Sequence, residues 1–124
     1  MRRTVYNVSN PEGLPLSEAV RFGDLLFLSG AVGMDGGGNI VPGGIAAETR
    51  QTLRNLEAVL KAAGCGLSDV LKVNIILTHA EDFAAFNEVY REFFPKDPPA
   101  RVSMVAGLTI DARVEIDLIA GCRS

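Results

Sequence analysis

The stretch IAAETRQTLRNLEAVLKAAG (residues 45–64), followed at once by VLKVNIILT (70–78), decides the fold class. In the first run Ile45, Thr49, Leu53, Leu56, Leu60 and Ala63 recur at spacings of three and four. That is one apolar stripe on a helix. Glu48, Arg50, Gln51, Arg54, Glu57 and Lys61 fall largely off the stripe, and Gly64 is placed to stop the helix in a left-handed conformation. In the second run Leu71, Val73, Ile75 and Leu77 alternate with Lys72, Asn74 and Thr78, a period of two that predicts a strand.

Further along the chain, residues 81–94 read as a second helix with Phe83, Phe86, Tyr90 and Phe93 or Phe94 on its apolar side. Thr78 to Glu81 has capping-box spacing, and Pro95 ends the run. Residues 101–107 and 112–120 read as two more strands forming a hairpin. In the last, Val114, Ile116, Leu118 and Ala120 face one way and Arg113, Glu115 and Asp117 the other. Toward the N-terminus, residues 4–8 read as a short strand broken by Asn10, Pro11, Gly13 and Pro15. Residues 19–32 are apolar around Gly23-Asp24, a hairpin signal. Residues 33–44 hold six glycines and a proline and read as a loop. The order predicts an α+β domain over residues 1–124, with two helices on one face of a single sheet.

The chain has 124 residues, 48% of them apolar and 22% charged. One domain of this size buries a sufficient core without a metal or disulfide staple. Its apolar content is too high, and its net charge too low, for intrinsic disorder. A formal net charge of −3 and the lack of a basic stripe weigh against binding of nucleic acid through phosphates, and against an anionic membrane surface. No apolar run approaches a membrane span, and no apolar segment follows the two arginines at the N-terminus, so the expected location is the cytoplasm. In that compartment Cys65 and Cys122 are expected as free thiols. One histidine, His79, and two distant cysteines do not assemble a zinc site at any usual spacing.

Four places could carry chemistry. Arg101 opens a strand just after Pro98-Pro99-Ala100, with Ser103 on the same face; a guanidinium at a sheet rim can grip a carboxylate with two hydrogen bonds. The alternative is a surface arginine or a structural ion pair. Glu115 sits mid-strand, where a β-branched residue is commoner. Partial burial would raise its pKa toward a useful acid/base value, while the plain alternative is a polar outer face. Asn87, among aromatic residues on the second helix, can orient a ligand or serve the fold. Ser29-Gly30 can admit a close approach by ligand or backbone, or be a bulge. His79 reads as a helix-start residue, and Gly36-Gly37-Gly38 as a flexible turn rather than a phosphate loop.

Five segments taken together resemble the RidA family, also called YjgF or L-PSP-type proteins. They are residues 23–30 (GDLLFLSG), 51–56 (QTLRNL) with Ala63-Gly64, Asp82-Phe83 with 86–90 (FNEVY) and Phe93-Phe94, 99–103 (PARVS), and 114–120 (VEIDLIA). They run in family order over nearly the whole chain. The resemblance implies the chorismate-mutase-like α+β fold, with two helices on one face of a mixed sheet, in a homotrimer with pockets between subunits. It implies a 2-iminobutanoate/2-iminopropanoate deaminase-like hydrolase that uses no cofactor and no metal. Such an enzyme converts reactive enamines and imines, such as 2-aminoacrylate and 2-iminopropionate, to 2-keto acids and ammonia. By position it makes Arg101 the carboxylate holder and Glu115 the residue that manages water, with Ser29, Gly30 and Asn87 lining the pocket. Two positions depart from the common pattern. Leu16 stands where many members have a tyrosine, and Ser103 where many have a cysteine, so the preferred substrate is expected to differ. The family also offers two other readings: an endoribonuclease or translation inhibitor, and a non-catalytic small-metabolite-binding regulator.

Overall fold

The computed structural model describes residues 2–9 and 13–123. Asn10 and Pro11, read above as strand breakers, lie outside them. Six strands form one sheet: β1 (Thr4–Tyr6), β2 (Ala19–Phe22), β3 (Leu25–Ala31), β4 (Val70–Leu77), β5 (Ala100–Val105) and β6 (Val114–Gly121). Two helices, α1 (Gly44–Ala62) and α2 (Phe83–Phe93), pack against each other, and α1 lies on β3 and β6. The α+β expectation holds. No helix among the described residues is long and apolar enough to cross a membrane.

The spatial order is β1-β2-β3-β6-β4-β5. β2 and β3 form the hairpin expected at Gly23-Asp24, with Phe22 opposite Leu25 and Gly23 at a φ of 63°. The expected hairpin of the last two strands does not form. β5 instead pairs parallel to β4, from Lys72 opposite Ala100 to Leu77 opposite Val105, and β6 runs antiparallel between β3 and β4. The reason is the helix between β4 and β5. A crossover through α2 returns the chain in the same direction, as parallel neighbours require. β6 then enters the remaining central position, where both of its edges find partners.

The core lies between the sheet and the helices. Leu53, Leu56 and Leu60 of α1 and Phe86 of α2 meet Val73, Ile75, Val114 and Ile116 there, all essentially inaccessible. The stripe read on α1 is therefore the buried one. Glu48 departs from that reading: it is buried, and its Oε1 accepts the backbone N–H of Arg113 at 2.8 Å. The capping box also departs. Residues 80–82 form a 3₁₀ turn, no side chain caps it, and α2 proper begins at Phe83. Asp82 is buried and engaged instead in a two-pronged ion pair with Arg113, at 2.8 and 3.1 Å.

The cysteines are a further correction. Cys65 and Cys122 form a disulfide, with their Cα atoms 5.9 Å apart. Register brings this about. Ala120 pairs with Val70 at the start of β4, so the residue after β6 runs back beside the segment between α1 and β4 that holds Cys65.

Among the described residues the other face of the sheet carries no helix. Phe27, Val102 and Met104 stand on it, 44%, 44% and 52% exposed. Between them on this face stand Asn74 and Asp117, hydrogen-bonded at 2.8 Å, and Glu115.

Candidate active site

Glu115 and Arg101 occupy opposite faces of the sheet. Arg101 lies opposite Val73, and Val73 is buried toward the helices. Glu115 lies opposite Ile76, on the helix-free face. β4 runs between their strands, so two strand spacings, about 10 Å, also separate them laterally. Within one chain, the site residues predicted from the sequence therefore fall into two groups.

The first group surrounds a cavity of about 780 Å³ lined by Leu16, Ser29, Gly30, Asn55, Ile110 and Glu115, among others. Glu115 is half-buried. Burial, and secondarily the charge of Asp117, holds its carboxyl above the ordinary carboxylate range. Gly30 makes this placement possible. A Cβ there would lie 2.8 Å from Glu115 Oε2 and 3.0 Å from its Cδ, so only a glycine lets the carboxyl cross the strand at this point. The register of β3 against β6 shifts between Leu28 and Ala31, which sets Gly30 against Glu115. The Ser29 hydroxyl donates to Ser17 O at 2.6 Å, and its N–H to Glu18 O at 2.9 Å. Ser29 thereby fastens the loop that carries Leu16 to the cavity rim. The Leu16 side chain is exposed there.

Two cavity residues escaped the sequence reading. Asn55 of α1 donates from Nδ2 to Val32 O at 3.1 Å and Met34 O at 2.9 Å, while Gln51 Nε2 donates to Asn55 Oδ1 at 2.8 Å. These bonds tie the glycine-rich loop to the helix. The signal available was a pair of amides four apart, on one face of a helix. Glu18 accepts the N–H groups of Val8 and of Ser9, the latter at 2.6 Å, and so anchors the segment after β1 over the cavity. No sequence pattern announces that contact.

The second group lies at the β5 edge. Arg101 Nη2 donates to Asn87 Oδ1 at 2.7 Å. Its guanidinium carbon stands 4.8 Å from the centre of the Tyr90 ring, 5.7 Å from Phe83 and 5.8 Å from Phe86. Burial pushes the Tyr90 hydroxyl pKa up, and the charge of Arg101 opposes that push. Asn87 thus orients the arginine. Ser103 follows two residues along on the same face and is exposed. Arg50 and Arg113 each have a carboxylate partner, Glu92 and Asp82. Among the described residues Arg101 has none, so its fork is held in place but unmatched.

A smaller cleft, lined by His79, Leu108, Asp111 and Arg113 among others, contains neither Arg101 nor Glu115. His79 there shares a 2.9 Å hydrogen bond with the hydroxyl of Thr78.

Known proteins place this architecture. Residues 10–122 match the family model described as Endoribonuclease L-PSP. The chain is 42% identical over 123 residues to a RutC family protein of Pyrococcus horikoshii, covering 97% of this chain and 98% of the relative. It is 39% identical over 123 residues to the 2-iminobutanoate/2-iminopropanoate deaminase of Mus musculus, covering 97% and 91%. The crystal structure of RidA from an Antarctic Psychrobacter superposes with a TM-score of 0.89 at 33% identity, covering 97% of this chain and 99% of that one. With its mixed six-stranded sheet and two helices on one face, the chain belongs to the L-PSP family that includes RidA and YjgF.

Proposed function

We propose that this protein hydrolyses 2-imino acids and their enamine tautomers to 2-keto acids and ammonia, in a cytoplasmic homotrimer whose pockets join Glu115 of one copy to Arg101 of the next. The observation that carries the reading is Arg101: an oriented guanidinium, stacked over Tyr90 and bonded to Asn87, with no carboxylate partner among the described residues. A two-pronged donor held rigid without a partner suits a carboxylate ligand. Its placement on the face away from Glu115 supports a shared site, since one copy alone does not unite the two groups. The exposed apolar side chains Phe27, Val102 and Met104 on the helix-free face support assembly through that side.

The chemistry follows from the groups. Arg101 fixes the substrate carboxylate and so places the C=N carbon beside the cavity. Glu115, as the carboxylate, accepts a proton from water as that water attacks the carbon. As the acid, it returns the proton to nitrogen, and as ammonia leaves it takes the proton of the carbinolamine hydroxyl, so that the keto carbonyl forms. A carboxyl held above its ordinary range is better matched to both roles near neutral pH. The iminium carbon is already electrophilic, so positioning supplies much of the acceleration. No step calls for a cofactor or a metal. Leu16 offers an apolar rim where a tyrosine would offer a hydroxyl, which favours substrates with apolar side chains.

The test is ammonia and keto-acid release from an imine generated in situ by an amino-acid oxidase. Wild-type protein should accelerate it, and Arg101→Ala should not, with an unchanged circular dichroism spectrum. Full activity in that variant would remove the proposal. The family model's description favours RNA cleavage as a second reading, and the net charge of −3 weighs against it. Degradation of single-stranded RNA by the purified protein, abolished by Glu115→Gln, would select that reading.

A further inference from the structure

The Cys65–Cys122 pair lies apart from both the cavity and the Arg101 edge, and a buried cation lies against it. Arg21 of β2 is 5% exposed. Its Nη2 donates to Ala63 O at 2.7 Å and lies 3.5 Å from both Cys65 Sγ and Cys122 Sγ. Its Nη1 donates to Cys122 O at 2.6 Å and lies 3.5 Å from Gly23 O, and its Nε lies 3.4 Å from Tyr6 Oη. Among the described residues Arg21 makes no ion pair. A buried charge whose hydrogen-bond partners are all neutral is unfavourable. An ionised sulfur would supply the missing negative charge, and a neighbouring guanidinium favours the thiolate.

Asp69 acts in the opposite direction. Its carboxylate lies within 4.8 Å of both sulfurs, although Oδ2 is already engaged by the Gly66 N–H at 2.9 Å. The same guanidinium disfavours a metal cation between these three groups.

We infer that Arg21, Cys65 and Cys122 form a thiol–disulfide exchange site whose reaction partner is a low-molecular-weight disulfide of the glutathione class. In the reduced protein one proton is shared by the two sulfurs. Cys122 is half-buried and Cys65 buried, so Cys122 meets the partner first. Its thiolate attacks one sulfur of oxidised glutathione, forming a mixed disulfide and expelling one glutathione thiolate. Cys65 then attacks Cys122 Sγ, closes the internal bond and expels the second glutathione, which takes up the Cys65 proton. The two protein thiols lose two electrons and the glutathione disulfide gains them. Cys65 follows α1 and Cys122 follows β6, so the bond ties the helix bearing Asn55 to the strand bearing Glu115.

The test needs no imine substrate. The reduced protein is alkylated with iodoacetamide from about pH 5 to about 10, with each cysteine read by mass spectrometry, and is then exposed to oxidised glutathione at neutral pH. Cys122 should ionise with a midpoint below the ordinary thiol value of about 8.5. Wild-type protein should form the internal bond, while Cys65→Ser should stop with one glutathione on Cys122. Arg21→Met should raise the midpoint and slow exchange roughly tenfold at neutral pH. Asp69→Asn, which keeps an acceptor for Gly66, should lower the midpoint and speed exchange, and it decides the matter if Arg21→Met does not fold. A wild-type midpoint at the free-thiol value that Asp69→Asn leaves unmoved would overturn the inference. So would failure of oxidised glutathione to close the bond.

Discussion

The Glu115 cavity and the Arg101 edge are built by different means. In the cavity the backbone makes the room: Gly30 yields space to a carboxyl and a register shift in β3 sets that glycine in place, while the Asn55 and Glu18 side chains bind main-chain groups of the loops over the top. At the edge the side chains do the shaping, through an aromatic row on α2 and the Asn87 amide that orients a guanidinium. Among the described residues the cavity has the Glu115 carboxyl and no cationic anchor. The edge has the Arg101 anchor and no carboxylate paired with it. In the proposed function each is half of a hydrolytic site for an anionic substrate, and a neighbouring copy supplies the other half.

The comparison can be broken most forcefully at the anchor. Arg101→Ala should lower kcat/KM of imine hydrolysis by roughly 10³-fold, because a two-pronged charged contact is lost. Arg101→Lys should recover only part of it, since a point charge does not replace the fork. Steady-state ammonia release measures both.

Glu115→Gln should lower kcat by roughly 10²–10³-fold, with little change in KM. It should also separate function from stability. Burial raises the Glu115 pKa, so the ionised form is the disfavoured one in the folded chain. Below the ordinary carboxylate value the group is protonated in folded and unfolded chains alike, and no penalty exists. The penalty grows as pH rises through the raised value. Glu115→Gln should therefore be more stable than wild type at neutral pH, by under about 1 kcal/mol given its partial exposure. The gain should fade on acidification toward about pH 4. Denaturant melts at both pH values check the sign.

Asn87→Asp sharpens the comparison from the other side. It would place a carboxylate where an amide oxygen now stands 2.7 Å from Arg101. The fork would then be matched within its own chain, and kcat/KM should fall by about 10²-fold, mostly through KM. Gly30→Ala is the mildest of the four. The added methyl meets the far end of the flexible Glu115 side chain, so the fold should tolerate it while the carboxyl shifts. About a tenfold loss of kcat at unchanged melting temperature is expected.

Much of this molecule was legible in its sequence because it was local. The α1 stripe, the β4 alternation and the Gly23-Asp24 turn each encode their structure within a few residues. The last two strands misled because pairing partners are not local. Nothing in residues 101–120 says that β6 leaves its neighbour in sequence and enters between β3 and β4. The same non-locality hid the disulfide, which depends on where Ala120 falls opposite Val70. Arg21 and Glu48 were hidden for a different reason. Each stands on an element with ordinary polar alternation, and each is buried because a distant backbone, Ala63 O for one and the Arg113 N–H for the other, satisfies it. Apart from Asn55 and Glu18, the residues of the proposed site were named from the sequence, but their division between two faces was not. Alternation gives a side chain's face only relative to its own strand, and the order of strands is needed to compare one strand with another.

A mixing experiment tests the shared site most directly. Arg101→Ala and Glu115→Gln proteins, each inactive alone, are unfolded together and refolded at equal concentration, with mixed assemblies verified by native mass spectrometry. If each pocket takes Arg101 from one copy and Glu115 from another, about a quarter of the wild-type activity should return, because that fraction of random interfaces carries both intact residues. Mixed assemblies that remain as inactive as their parents would contradict the account.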